Sequence, residues 1–359
     1  MKNIGILTII DNDNYGNRLQ NYAITKIIST FLNTIAITLN NREFLNDRKY
    51  YLLRKIKYLN SKDTYSINPK RKISFIRFND YINFNQKELN PFLKYKNYDF
   101  VLCGSDQVWN PTFGRLRDVD LLCFVKPDKR IAFSASFGVN DIPENMKNKV
   151  GKALKKFKAI SVREDAGKKI VEELTGRTDV EVLIDPTMLL TNKEWDEVSK
   201  KPKMLKSDKY ILNYFLGDLS DAKRNEINRV AKENGCKVIS ILDKESPFYE
   251  CGPSEFLYLE KHAFLICTDS FHSSVFGILY NTPFLMFERE GNNVSMNSRL
   301  DTLLSKFKLE NRRYKGKISK EDLKCDYTEA YKILEIERNK SIKFLKKALD
   351  IKDSDKNEQ

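Results

Sequence analysis

The sequence predicts an α/β protein of two Rossmann-like, doubly wound domains that face each other across a cleft. Three observations predict it. Short apolar runs rich in β-branched residues alternate with helical patterns, as parallel sheets require. The alternation pauses over the lysine-rich segment 191–208, which holds Pro202, and then restarts. The chain has 359 residues, enough for two domains that each bury a core.

The first domain, residues 1–190, opens with a strand (Ile4–Ile10), a polar loop, a helix (Leu19–Leu32) and a strand (Ile35–Leu39). An insertion over about 42–96 comes next, helical around Arg48–Leu59 and Ile73–Phe84. Strands at Tyr98–Cys103, Arg130–Ser136, Ala159–Arg163 and Val180–Ile184 then alternate with helices at Pro143–Phe157 and Asp165–Thr175. The second domain, 208–325, holds strands Tyr210–Phe215, Lys237–Leu242, Ala263–Cys267 and Phe284–Phe287. Its helices are Asp221–Asn234, Pro253–Lys261, Ser273–Tyr280 and Asn297–Phe307. The segment 326–352 reads as one basic amphipathic helix, Glu329–Leu349, that packs back toward the first domain. The tail from Ser354 reads as frayed.

Composition narrows the function classes. Hydrophobic residues make up 41% and charged residues 31%, which excludes wholesale disorder. The apolar runs are short, Ala263–Cys267 among the longest, and none approaches a membrane span. The first strand is too short and wrongly flanked for a signal peptide, so a cytoplasmic location is expected. Six cysteines include no CxxC pair, and the two histidines, His262 and His272, exclude a metal site built on several imidazoles. The Asn-Lys-Ile bias fits an AT-rich bacterial genome.

The formal charge is +14, and the excess is uneven. Residues 42–96 carry 14 Lys and Arg against 5 Asp and Glu, interleaved with Tyr and Phe. No nucleic-acid motif accompanies them, so an anionic membrane surface or a solvated insertion is the better reading.

In doubly wound sheets, ligands bind outside the carboxyl ends of the strands. The most informative such end is Ile266–Gly277, where a strand stops at Thr268 and a helix begins near His272. Free N–H groups of that first turn make an anion site. Ser270 and Ser273 add hydroxyl donors, and His272 can bind phosphate or move a proton. The bland alternative is a capped helix with an idle histidine. His262 precedes the strand and reads as structural. Arg163 closes a strand and either grips an anion bidentately or pairs with Glu164 or Asp165. After another strand, Gly104 permits close approach to a ligand, and Asp106 and Gln107 are polar at the cleft. Trp109 either stacks on a sugar ring or fills the core. GxGxxG, GxxxxGK[ST] and GxSxG are absent, which argues against NAD, a P-loop and a nucleophile elbow.

Taken in order, several segments resemble the polysaccharide pyruvyl transferase family. They are Asn14–Gln20, Gly104–Trp109, Ser134–Gly138, Ser161–Glu164, Asp185–Thr187, Thr268–His272 and Asn297–Arg299. The first of these includes Asn17. The resemblance implies a GT-B-like fold. It also implies transfer of pyruvate from phosphoenolpyruvate to a saccharide diol, giving a cyclic ketal and phosphate in cell-surface polysaccharide synthesis. Carried over by motif, Arg163 and His272 match the donor-site arginine and histidine. Arg289 falls where the family has a basic residue after the next strand, and Arg299 matches the Asn-x-Arg helix motif. The resemblance further implies that Asp106 orients or deprotonates the acceptor, and that no metal or resident cofactor is demanded. The acceptor would be an envelope sugar, in some cases lipid-linked. The basic insertion would then hold the enzyme at the inner membrane face.

Two rival readings remain at this point. One is a GT-B glycosyltransferase with a nucleotide-sugar donor, whose diphosphate would sit at Ser270–Ser273. The other is a non-catalytic basic module that binds nucleic acid or membrane through residues 42–96.

Overall fold

The computed structural model describes residues 1–40, 68–88, 98–206, 209–290 and 297–352. The helix expected over Arg48–Leu59 and the tail from Ser354 lie outside the described residues.

Two sheets organise the chain, and every strand pair in both is parallel. The first has seven strands: β1 (Asn3–Leu7), β2 (Ile35–Asn40), β3 (Phe84–Glu88), β4 (Phe100–Cys103), β5 (Arg130–Ala135), β6 (Ala159–Val162) and β7 (Glu181–Val182). Their spatial order is β3-β2-β1-β4-β5-β6-β7. The second sheet has β8 (Tyr210–Tyr214), β9 (Lys237–Ser240), β10 (Leu265–Thr268) and β11 (Phe284–Met286), ordered β11-β10-β8-β9. Each order reverses once, between β1 and β4 and between β8 and β10. At a reversal the crossovers leave to opposite faces and open a crevice at the strand ends. The two crevices therefore fix where a ligand can enter.

The helices keep the predicted alternation. They are α1 (Tyr15–Lys26), α2 (Pro69–Phe78), α3 (Glu144–Leu154), α4 (Asp165–Thr175), α5 (Asn192–Asp196) and α6 (Asp221–Glu233). Then come α7 (Pro253–His262), α8 (Phe271–Tyr280), α9 (Asn297–Lys306) and α10 (Thr328–Ala348). Helix α1 starts four residues earlier than its apolar pattern. The Asn14 side chain caps it by accepting from Asn17 N at 3.1 Å, and its first turn puts Tyr15 in the core and Asn17 at the cavity.

The insertion needs a correction. The helix expected over Ile73–Phe84 runs instead from Pro69 to Phe78, set by the Asn68 cap and by proline at its first position. The strand after it is β3, which extends the sheet beside β2. Phe75 and Phe78 are core residues. Arg71 is buried too: Nη1 donates to Tyr15 Oη at 2.6 Å and Nε pairs with Asp13. Residues 68–88 therefore serve packing and the sheet.

One continuous apolar core joins the two sheets, from Ile4 and Tyr15 through Trp195 to Phe256 and Phe276. Tyr15 of α1 stacks on Phe256 of α7 with ring centroids 4.4 Å apart. Helix α10 lies across both halves. Arg338 donates to the carbonyls of Met188 and Leu190 at 2.7 and 2.8 Å, and Tyr331 to Ile278 O at 3.0 Å. Among the described residues no helix is long and apolar enough to cross a membrane.

Candidate active site

The first crevice carries a buried charge cluster. Arg163 comes directly after β6 and donates from Nη2 to Asp106 Oδ1 at 3.1 Å and from Nη1 to Asp185 Oδ2 at 2.5 Å. The Phe271 ring covers the guanidinium, its centroid 4.4 Å from Cζ. Asp106 also accepts from Asn17 Nδ2 and faces Arg299 Nη1 at 3.9 Å. The Gln107 amide, with its oxygen toward Arg299, accepts from Nη1 and Nη2 at 2.7 and 2.5 Å. Asp185 caps the turn after β7, where its Oδ1 accepts from Thr187 N and Oγ1 at 3.0 and 2.7 Å. Its Oδ2 accepts from Ser105 Oγ at 2.9 Å.

The second crevice carries fewer charges, and they are more open. Asp269 comes directly after β10 and accepts from Leu216 N and Gly217 N at 2.7 and 2.8 Å. The same carboxylate accepts from Arg289 Nε at 3.1 Å. A β-carbon at Gly217 would collide with the Arg289 chain, so glycine is required there for the arginine to lie flat. Ser270 is the N-cap of α8, and the first turn of that helix opens into the crevice.

His272 links the two sides. It stands in the first turn of α8, 7% exposed. Its Nε2 is 3.7 Å from Asp185 Oδ2, beyond hydrogen-bond range. Its ring packs so closely on the first turn of α1 that a β-carbon at Gly16 would overlap Nδ1.

Burial and charge compete throughout. Burial pushes the Asp185 carboxyl up, but His272 and Arg163 outweigh it and hold it well below the ordinary range. Asp106 behaves alike: burial raises it, while Arg163, His272 and Arg299 bring it down. Burial works against the charge on Arg163, and Asp185 and Asp106 more than restore it. Arg299 is lowered to about 10, first by burial and then by the nearby Arg163 charge, and stays cationic at neutral pH.

These groups surround a cavity of about 390 Å³. Asn17, Asp106, Gln107, Phe113 and Arg115 line it from the first half; Tyr214, Leu216, Asp269–His272, Arg289 and Arg299 line it from the second. Among the described residues no group of three His, Cys, Asp or Glu is placed to hold a metal ion.

The expected residues fall into two sets. His272, Asp106, Asn17, Gln107, Ser270, Arg289 and Arg299 meet at the cavity. Three others, Arg163, Ser273 and Gly104, are not in the cavity lining, and Trp109 takes the core alternative. Arg163 does not line the cavity; it is locked between Asp106 and Asp185, while Glu164 caps the loop after β5 by accepting from Phe137 N at 2.9 Å. Ser273 points away from the cavity and donates to the buried Glu260 at 2.6 Å. Ser273 lies on the side of α8 that meets Glu260 of α7, while His272 lines the cavity. Gly104 gives close approach to the Phe133 carbonyl on β5, not to a ligand. Trp109 is fully buried, its indole donating to Asp120 O at 3.0 Å. His262 lies outside the cavity, exposed and stacked on Tyr258 at 4.2 Å.

The reading of individual residues missed Asp185, Arg115 and Gly16. Asp185 was legible only as an Asp-Pro-Thr turn, and Gly16 only as a lone glycine in a polar crossover. Their partners lie tens to hundreds of positions away.

Compared with known families, residues 14–291 match the model described as polysaccharide pyruvyl transferase. The chain belongs to the polysaccharide pyruvyl transferase family, and it is a transferase. That match takes in every cavity-lining residue of the transferase from Asn14 to Arg289. The chain matches no curated protein. Among solved structures, one similar to the transferase is a UDP-N-acetylglucosamine 2-epimerase from Rickettsia bellii, 11% identical. That comparison covers 98% of this chain and 97% of the other, with a TM-score of 0.49. Another is the UDP-GlcNAc 2-epimerase of Methanocaldococcus jannaschii in complex with UDP-GlcNAc and UDP. It is 15% identical, over 94% and 99% of the two chains, with a TM-score of 0.41.

Proposed function

We propose that the transferase moves pyruvate from phosphoenolpyruvate onto two hydroxyls of a saccharide, forming a cyclic ketal and releasing phosphate. One observation carries this reading: a single cavity brings together His272, the N-terminus of α8 and the guanidiniums of Arg115, Arg289 and Arg299. The donor has a carboxylate and a phosphate, and needs two cationic grips and one proton carrier.

Protonated His272 delivers its proton to the methylene carbon, which becomes the methyl group. Cationic character develops at C2, and a first acceptor hydroxyl adds there. Its proton leaves with the phosphate as the C–O bond to phosphate breaks. The second hydroxyl closes the ring and returns its proton to the now neutral His272. Arg289 and the first turn of α8 take one anionic end of the donor, and Arg299 the other. Asp106 orients the acceptor hydroxyl by accepting from it. Its depressed pKa makes it a poor base, so positioning is the role that fits. Arg163 and Asp185 act behind these groups: Arg163 fixes Asp106, and Asp185 faces the imidazole. No step calls for a resident cofactor.

Incubation with phosphoenolpyruvate and cell-envelope glycan precursors tests the reading. The expected result is acceptor-dependent phosphate together with a glycan mass gain of one pyruvate ketal. Binding of nucleotide sugars without phosphoenolpyruvate binding would overturn it. A lipid-linked acceptor would bring the transferase to the inner membrane face, and co-sedimentation with anionic liposomes tests that part separately.

A further inference from the structure

Among the described residues, two large apolar side chains are both exposed and part of the cavity lining. Phe113 is 54% exposed and Leu216 45% exposed. They come from opposite halves, and each is mounted on backbone that also fixes a cavity cation. Leu216 N donates to Asp269, whose carboxylate holds Arg289. Phe113 ends a short helical turn capped by Asn110, which accepts from Thr112 N at 2.9 Å. Asn110 N donates to Gln107 O at 3.2 Å, and the Gln107 side chain faces Arg299. The two side chains are thus held rigidly at the mouth of a cavity whose floor is polar.

Resting on the proposed reaction, we infer that Phe113, together with Leu216, is the platform for the acceptor: the C–H face of a pyranose ring lies against the Phe113 ring. A three-carbon donor leaves much of a cavity of about 390 Å³ free. The second reactant must enter over the mouth. A sugar presents one ring face of C–H groups and an equator of hydroxyls, which an aromatic plate in the same cavity as Asp106 and Asn17 complements. A purely anionic second ligand would gain nothing from either side chain.

The test uses Phe113→Trp and Phe113→Ala in the full chain. The native tryptophans, Trp109 and Trp195, are fully buried, so the substituted indole reports the mouth. The probes are methyl glycosides of galactose, glucose and N-acetylmannosamine, titrated with phosphate present. A saturable emission shift in Phe113→Trp is expected with at least one glycoside. In Phe113→Ala the same glycoside should bind about fivefold to tenfold more weakly by calorimetry. No response to any glycoside, or equal binding by wild type and Phe113→Ala, overturns the platform. Phosphoenolpyruvate is titrated separately into wild type: its failure to bind sinks the donor reading alone, whatever the glycosides do.

Discussion

Arg163 and Arg289 both sit just past strand ends, yet the fold uses them differently. Arg163 is shared between two buried carboxylates and covered by a phenyl ring. Arg289 pairs with Asp269 through Nε and lines the cavity. A guanidinium with two buried partners has its charge satisfied internally and becomes scaffold. Arg289 lines the cavity, where it can meet whatever enters. Location at a strand end identifies a neighbourhood, and whether the guanidinium reaches the cavity decides the role.

The largest expected effect sharpens this contrast by testing what both arginines serve. His272→Ala should lower turnover about 10²–10⁴-fold with folding retained, measured as phosphate release beside a circular-dichroism melt. Near-full activity in a folded variant would remove the histidine from the chemistry. Next, Arg163→Met should cost roughly 3–5 kcal/mol in urea unfolding, because it leaves two buried carboxylates unpaired. Arg289→Met should cost less, because Asp269 keeps its bonds from Leu216 N and Gly217 N, and should in addition weaken donor binding. Equal stability losses in the two would erase the distinction. Third, Gly16→Ala forces a β-carbon into the space of the imidazole. Turnover should fall on the order of 10²-fold, the scale of a 1 Å misplacement, while donor binding changes little. Unchanged turnover would show that the imidazole has room to move.

The smallest effect concerns pH. Asp106 and Asp185 have depressed pKa values, so their stabilisation is present above the unfolded value of about 3.9 and is lost as pH falls through the folded values. Glu260 has the opposite sign: burial raises it well above its ordinary value, and the hydrogen bond from Ser273 only partly offsets this. Above about pH 4.3 the unfolded chain ionises Glu260 while the folded chain keeps it protonated, so stability falls with rising pH. The slope is up to about 1.4 kcal/mol per pH unit. Glu260→Gln should flatten that slope between pH 5 and 7 in urea titrations; an unchanged slope would place its origin elsewhere.

Much of the fold was legible because parallel strands are buried on both faces and read as unbroken apolar runs, as Leu265–Thr268 does. Strand β3 was not legible. Its sequence, Phe-Asn-Gln-Lys-Glu, is polar, and it pairs on one side only, at the sheet edge. The site was legible as a set of strand ends, which brought His272, Asp106 and Arg289 into one cavity. The roles of Arg163 and Trp109 were not, because they depend on partners that only the folded chain supplies. The same holds for Ser273, whose hydroxyl is taken by Glu260 of α7.

The shared aromatic and aliphatic core has one more consequence. The chain does not consist of two independent lobes on a flexible joint. Tyr15, Trp195, Phe256 and Phe276 belong to the same packed interior, so neither sheet can melt without stripping the other of buried surface. Unfolding should be one cooperative event, and rigid-body opening of the crevice would have to break this packing first. A catalytic centre assembled from two sheets is in this way preorganised at the cost of amplitude. The reactants must be admitted by side chains and loops at the rim, since the lobes themselves are fused.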